Sequence, residues 1–228
     1  MALLGIEVVD SLIDGEIGAP MNLIVLGDTG TGKTALCKQF VSVGLSNRDF
    51  CIYISMDNPP DEIKNSMSIL EPNNEKSNNL MVVDCYSAPF KESGEPYFVL
   101  DRADINAYKI VLSKVLSLPI DKQIRIAFDS ISSLLILFDP GTVLKFLQET
   151  FHKLHFHNCL SIFTLNSTGC DPRIRSIISD MAGGVIELRC VEGDELKKFL
   201  RVTKIKNVAH STRWTPYEIR PKLGLVRL

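Results

Sequence analysis

The sequence has no surplus of positive charge: 25 lysines and arginines stand against 27 aspartates and glutamates, a formal net charge of −2, so no overall field draws in a polyanion. It also lacks any Cys-x-x-Cys pair. Its six cysteines (Cys37, Cys51, Cys85, Cys159, Cys170 and Cys190) lie far apart, mostly in or beside apolar runs, which suits buried thiols in a reducing compartment better than a metal or disulfide framework. No apolar run approaches the ~20 residues that cross a bilayer, so no membrane span is expected. The first twenty residues carry Glu7, Asp10, Asp14 and Glu16 where a secretory leader would start basic, so the protein is expected to be cytoplasmic. Aromatics are sparse at 7%, whereas hydrophobic residues make up 45%, the balance of a chain that buries aliphatic strands and keeps charged helices outside. At 228 residues, one α/β domain over 1–228 fits better than two small ones.

What is present is alternation. Five nearly continuous apolar runs, Leu23–Leu26, Cys51–Met56, Leu80–Val83, Ile124–Phe128 and Cys159–Leu165, have the pattern of parallel strands covered on both faces. Between them lie stretches with helical spacing, such as Leu36, Phe40 and Val43, or Val143, Leu147, Phe151 and Leu154. Pro59-Pro60 followed by Asp61 and Glu62 predicts a helix start. Polar loops are expected over 71–79 and from Ala88 to about Tyr97. After Gly183 the helices stop, and Val185–Val191, Phe199–Lys206, Tyr217–Arg220 and Leu223–Leu228 predict an antiparallel meander. The fold class is therefore α/β: a three-layer α/β/α sandwich whose mostly parallel central sheet is extended by C-terminal antiparallel strands.

The chemistry concentrates after the first apolar run. Gly27-Asp28-Thr29-Gly30-Thr31-Gly32-Lys33-Thr34 matches G-x-x-x-x-G-K-[ST], and Ala35 continues it into an amphipathic stretch. Its glycines let backbone N–H groups turn inward on phosphate oxygens while the following helix presents its positive end, so ATP is the expected ligand. Lys33 is expected to bridge the β- and γ-phosphates, and the Thr34 hydroxyl to be a Mg2+ ligand. Asp129 ends the Ile124–Phe128 run, which puts a carboxylate at the carboxyl edge of a parallel sheet, in place for the same metal; a helix cap would use the same residue. At the end of a further strand Thr164, Asn166 and Ser167 can reach a γ-phosphate, with Asn166 the preferred candidate.

These stretches together resemble the RecA superfamily and, within it, the KaiC-like archaeal and bacterial ATPases, over nearly the full length. Gly5 to Ile17 is similar to the family's entry motif, with Glu16 in place of a glycine; Asp129-Ser130-Ile131-Ser132 is similar to its Asp-Ser-x-Ser; Met181 to Ile186 and Val202 to Lys206 resemble its C-terminal sheet entry and Lys-x-Arg strand. The resemblance implies a RecA-like fold, ATP with Mg2+, and a homo-oligomeric ring or filament in which Lys204 and Lys206 reach the nucleotide of a neighbouring copy, with Ile205 turned to the core. It also places His210 and Ser211 near that neighbour's nucleotide. Where relatives carry a Glu-Glu pair that activates water, this chain has Asp57-Asn58, so Asp57 is either a shorter base or a helix cap.

Three functions follow from that reading. One is a slow ATPase that assembles through its nucleotide site and couples to a protein partner. The second is a DNA recombination or repair ATPase of the RecA or RadA kind, for which the loops are poor in basic residues: after Asp129 the chain is apolar from Leu134 to Phe138, and after Asn166 only Arg173 and Arg175 are basic. The third is a nucleotide-binding scaffold without turnover, like the archaellum ATP-binding subunits. The Leu134–Phe138 stretch is expected to be buried helix; if exposed, it would be a docking patch.

Overall fold

The computed structural model describes residues 4–70, 79–90, 93–193 and 195–228, with the side chains of 68–70 excepted. The loop expected over 71–79 lies, apart from Asn79, outside the described residues, as does Glu92 of the second loop. Each apolar run forms a strand: β2 (Met21–Gly27), β3 (Phe50–Ser55), β4 (Leu80–Asp84), β5 (Ile124–Asp129) and β6 (Leu160–Asn166). They join β7 (Gly184–Val191), β8 (Lys197–Ile205), β10 (Thr215–Arg220) and β11 (Gly224–Arg227) in one sheet of order β11-β10-β8-β7-β2-β6-β5-β3-β4. Two short strands, β1 (Ile13–Asp14) and β9 (Ala209–His210), pair separately.

One expectation is corrected. The pattern of Val185–Val191 predicts the first strand of the antiparallel meander, yet β7 runs parallel to β2, with Leu23 opposite Gly184 and Gly27 opposite Leu188. The meander begins one strand later, at β8, which pairs antiparallel with β7 and with β10. The reason is local: α7 (Pro172–Met181) carries the chain back across the sheet after β6, and a helical crossover returns a strand in the parallel sense.

The continuous apolar runs serve two cores at once, because successive side chains point to opposite faces. Ile24, Leu26, Ile52 and Ile54 pack with α4 (Ile105–Leu116), α6 (Pro140–Phe156) and α7, whereas Leu23, Val25, Cys51 and Tyr53 pack with α2 (Lys33–Ser46) and α3 (Pro60–Leu70). The helices start where short acidic side chains can take an orphan N–H: Asp104 accepts from Asn106, and Asp139 and Asp171, each followed by proline, accept from Thr142 and from Arg173 and Ile174. Five cysteines are buried and Cys190 is half-buried; burial pushes the Cys51 and Cys159 thiols up to about 12, so they stay protonated. Among the described residues no helix is long and apolar enough to cross a membrane.

Candidate functional site

The carboxyl ends of β2, β5, β3 and β6 open on a cleft of 610 Å³ lined by Thr29, Gly30, Gly32, Lys33, Thr34, Asp57, Asp129, Ser130, Ser132, Ser133, Ile136 and Asn166. The loop from Gly27 to Thr34 is tight at two of its three glycines, while Gly30 faces open space and is set apart by its φ of 82°. A Cβ on Gly27 would lie 2.6 Å from Thr31 Oγ1 and 3.0 Å from the Leu188 carbonyl oxygen; one on Gly32, which has φ of 96°, would lie 2.4 Å from Ile219 Cδ1. The loop is pinned from several sides. Thr31 is buried and donates to the Asp28 carbonyl at 2.8 Å, Tyr217 of β10 donates to the Thr31 carbonyl, and Lys198 of β8 donates to the Gly30 carbonyl. Asp28 in turn accepts from Thr168 N–H at 3.1 Å, and Thr29 Oγ1 from Asn166 Nδ2 at 3.3 Å.

Lys33 folds back on its own loop, donating to the carbonyls of Gly27 at 2.7 Å and Asp28 at 2.9 Å. Burial depresses its pKa below the usual lysine value of 10.5, with the charges of Asp129 and Asp28 acting in opposition. Ala35 follows in the first turn of α2, half-buried against the core on that side.

Asp129 is buried and held by three hydroxyls: Thr34 Oγ1 at 2.8 Å and Tyr53 at 2.9 Å on Oδ2, and Thr164 Oγ1 at 2.6 Å on Oδ1. Each donor comes from a different element, α2, β3 and β6, so the sheet register itself aims the carboxylate. Thr34 and Asp129 form the hard oxygen pair that suits Mg2+.

Asp57 turns its carboxylate toward the N-terminal turn of α5 (Ile131–Leu137). It accepts from Ser133 Oγ at 2.7 and 2.6 Å and from Ser130 Oγ at 3.3 Å. Asn166 lines the cleft and its Oδ1 caps the turn after β6 by accepting from Thr168 and Gly169 N–H. Of the Leu134–Phe138 stretch, Leu134 is buried as expected, but Ile136, which lines the cleft, is 84% exposed and Leu137 38% exposed, because successive helical residues turn by ~100° and cannot all face the core.

Lys204, Lys206, His210 and Ser211 are not brought to this cleft. In register, Gly27 lies opposite Leu188, while Val185 lies opposite Lys204 and Gly184 opposite Ile205, at the far end of the sheet. Lys204 donates to the carbonyls of Ser179 at 2.9 Å and Asp180 at 3.0 Å at the end of α7; burial and then the nearby Lys206 charge depress its pKa. Lys206 lies just past β8, exposed, and Ile205 points into the core. His210 pairs with Ile13 across β9 and β1, and Ser211 N–H donates to the Leu12 carbonyl at 2.7 Å.

Sequence reasoning missed Tyr53, Ser133, Lys198 and Tyr217, and gave Thr164 a different role. A tyrosine or threonine within an aliphatic strand run is itself a signal, since a buried hydroxyl needs a partner. Nothing in the order of residues says which partner.

Comparison with known proteins agrees with this geometry. A family model described as "ATPase: KaiC" matches residues 3–226. A UPF0273 protein of Thermotoga maritima is 28% identical over 229 residues, covering 97% of this chain and 93% of that protein. The UPF0273 protein PH0284 of Pyrococcus horikoshii is 30% identical over 226 residues, covering 96% and 90%. Among solved structures, the KaiC-like protein PH0186 of Pyrococcus horikoshii matches with a TM-score of 0.72 at 23% identity, covering 96% of this chain and 94% of that one. The flagellar accessory protein FlaH of Methanocaldococcus jannaschii matches with a TM-score of 0.68 at 22% identity and the same coverage. The two structures speak for the fold.

Proposed function

We propose, for a chain that belongs to the KaiC ATPase family, that its 228 residues act as one cytoplasmic domain that binds Mg2+ and ATP in the cleft described above, hydrolyses ATP slowly, and assembles head to tail through that nucleotide. One observation carries this reading: the Thr34 hydroxyl lies 2.8 Å from the Asp129 carboxylate at the mouth of a glycine loop too tight for any Cβ at Gly27. The residues fit the magnesium ion chemically, with a hydroxyl and a carboxylate as hard donors on one side of the cleft and the phosphate cradle on the other. Thr34 and Asp129 would hold it, and it would supply neutralisation of the phosphate charge that develops during transfer.

The remaining steps belong to the chain. Backbone N–H groups of the Gly27–Thr34 loop take the phosphate oxygens, and Lys33 leaves its two carbonyl acceptors for the β/γ bridge. Asp57 orients the attacking water and accepts its proton, while Asn166 donates to the γ-phosphate from the opposite wall. The base is an aspartate set against α5 by Ser133, shorter than a glutamate, and a misplacement of about 1 Å can cost ~100-fold, which is the reason for expecting slow turnover.

Lys204 and Lys206 then act on the next copy. Their place at the edge opposite the Gly27–Thr34 loop is what a head-to-tail contact needs, since one copy's far edge meets the next copy's cleft. His210 and Ser211 would approach the same neighbouring nucleotide. Lysine in place of arginine at 206 keeps the charge but loses the planar fork, so stimulation is modest. The test mixes Lys204→Ala/Lys206→Ala subunits, which bind ATP, with Lys33→Ala subunits, which do not. Recovery of turnover in the mixture supports the shared site; absence of recovery, with a monomeric parent at every ATP and protein concentration, refutes it.

A further inference from the structure

A cavity of 320 Å³ lies at the edge of the sheet opposite the nucleotide cleft, between the start of β2, the last turns of α6 and the end of α7. Three side chains that carry or take up positive charge, His152, His155 and Lys206, share its wall with Phe151, Met181 and Asn207. No carboxylate lines it among the described residues, and none of the three basic side chains has a hydrogen-bond or ion-pair partner among them.

The acceptors around the cavity are already taken. At the end of α6 the carbonyls of Lys153, Leu154 and His155 accept the N–H groups of His157, Cys159 and Asn158, and the Phe151 carbonyl accepts from Asn22 Nδ2 at 3.2 Å. Asn22 Oδ1 is held by Ser161 Oγ at 2.6 Å, and the Gly183 carbonyl accepts the Lys206 N–H. The end of α7, where helix carbonyls would otherwise draw in a cation, is closed by Lys204, which donates to the carbonyls of Ser179 and Asp180. The other charged and titratable groups nearby are engaged elsewhere: Asp180 acts on Lys204, Glu149 pairs with Lys109 of α4, Lys153 donates to Ser113 of α4, and His157 packs edge-on against Phe156. What is left is a concave surface of donors and positive charge.

We infer that this cavity binds a phosphate group, with Lys206, His152 and His155 as its charged contacts. A cation meets Lys206 as a like charge, and a carboxylate brings two oxygens to three separate heads. A phosphate brings a tetrahedral set and the higher charge. Two sources supply such a group: phosphate free in solution, and the nucleotide of the next copy, toward which Lys206 is proposed to reach. The second source rests on that proposed assembly; the cavity's affinity for phosphate does not.

The experiment follows the imidazole signals of the full chain by NMR, in folded Lys33→Ala protein so that the Gly27–Thr34 loop does not compete, during titration with inorganic phosphate, sulfate and acetate. Phosphate and sulfate are expected to saturate the His152 and His155 signals below ~10 mM and to bind about tenfold tighter than acetate. Sulfate keeps its charge over the range in which an imidazole gains its proton, so its binding should strengthen from pH ~8 to pH ~5.5. His152→Ala/His155→Ala, read on the Lys206 and Asn207 amide signals, should abolish that pH dependence, Lys206→Gln should weaken binding about tenfold at both pH values, and circular dichroism should show both variants folded. Equal binding of the three anions, a sulfate affinity indifferent to pH, or binding unchanged in either variant overturns the site. The sources are separated in the parent protein saturated with Mg2+ and ATP at a concentration where it assembles. Phosphate shut out of the cavity there assigns it to the next copy's nucleotide, and phosphate still bound assigns it to the free ion. Failure of ATP to bind, or a parent that stays monomeric, removes the next-copy source alone, because the Lys33→Ala titration depends on neither.

Discussion

Replacing Tyr53 with phenylalanine isolates one of the three hydroxyls that hold Asp129. The ring is fully buried on β3, and its hydroxyl donates to Oδ2 at 2.9 Å, the same oxygen that Thr34 contacts at 2.8 Å. Phenylalanine fills the same space, so no cavity opens; the loss is one hydrogen bond to a buried carboxylate, worth about 1.5–3 kcal/mol. For a domain of this size ~2 kcal/mol lowers Tm by about 4–8 °C. A second effect is local, because a carboxylate freed on one side would no longer present Oδ2 squarely to the Mg2+ proposed to bind there. Loss of such a supporting partner typically weakens a metal site by ~10-fold or more. Thermal unfolding with and without Mg2+ and ATP reads the first effect, and calorimetric titration with Mg2+ at saturating ATP reads the second. A Tyr53→Phe protein with the parent's Tm and the parent's Mg2+ affinity would refute the claim that the sheet register aims Asp129 through this hydroxyl.

Gly27→Ala should lower stability by about 1–3 kcal/mol and abolish ATP binding, because its Cβ would sit 2.6 Å from Thr31 Oγ1 and 3.0 Å from Leu188; denaturant unfolding and a nucleotide titration check both. ATP binding at alkaline pH below 10.5 should take up protons, since burial depresses Lys33 from 10.5 in the free protein and a phosphate restores the ammonium form. Calorimetry in two buffers of different ionisation enthalpy measures that uptake, and Lys33→Arg should remove it. Asp57→Asn should cut turnover by ~100-fold or more with ATP affinity kept, whereas Asp57→Glu should raise turnover; a steady-state assay on both decides whether Asp57 is the base.

Much of the layer order could be read in advance because buried parallel strands leave runs such as Ile124–Phe128 that few other structures produce. The glycine loop was legible as a tight strand-to-helix turn, since Gly27 and Gly32 sit where a Cβ would crowd Thr31, Leu188 or Ile219. The sense of β7 was not, since Val185–Val191 has the composition of a strand whichever way it runs and only the return path through α7 sets the direction. The partners of Asp129 were hidden too. Tyr53 and Thr164 are separated from it by 76 and 35 residues, and only sheet order puts them together. The exposed side of α5 escaped for want of length, as seven residues do not establish a periodicity from which an inner and an outer face can be told.

The central claim is that the Gly27–Thr34 loop and Asp129 hold ATP with Mg2+, and titration of the purified protein with ATP in Mg2+ and in EDTA tests it most directly. Saturable binding at one ATP per chain, tighter with Mg2+, lost in folded Lys33→Ala and made indifferent to Mg2+ in Asp129→Asn, is the predicted result. ATP affinity unchanged in folded Lys33→Ala would contradict it.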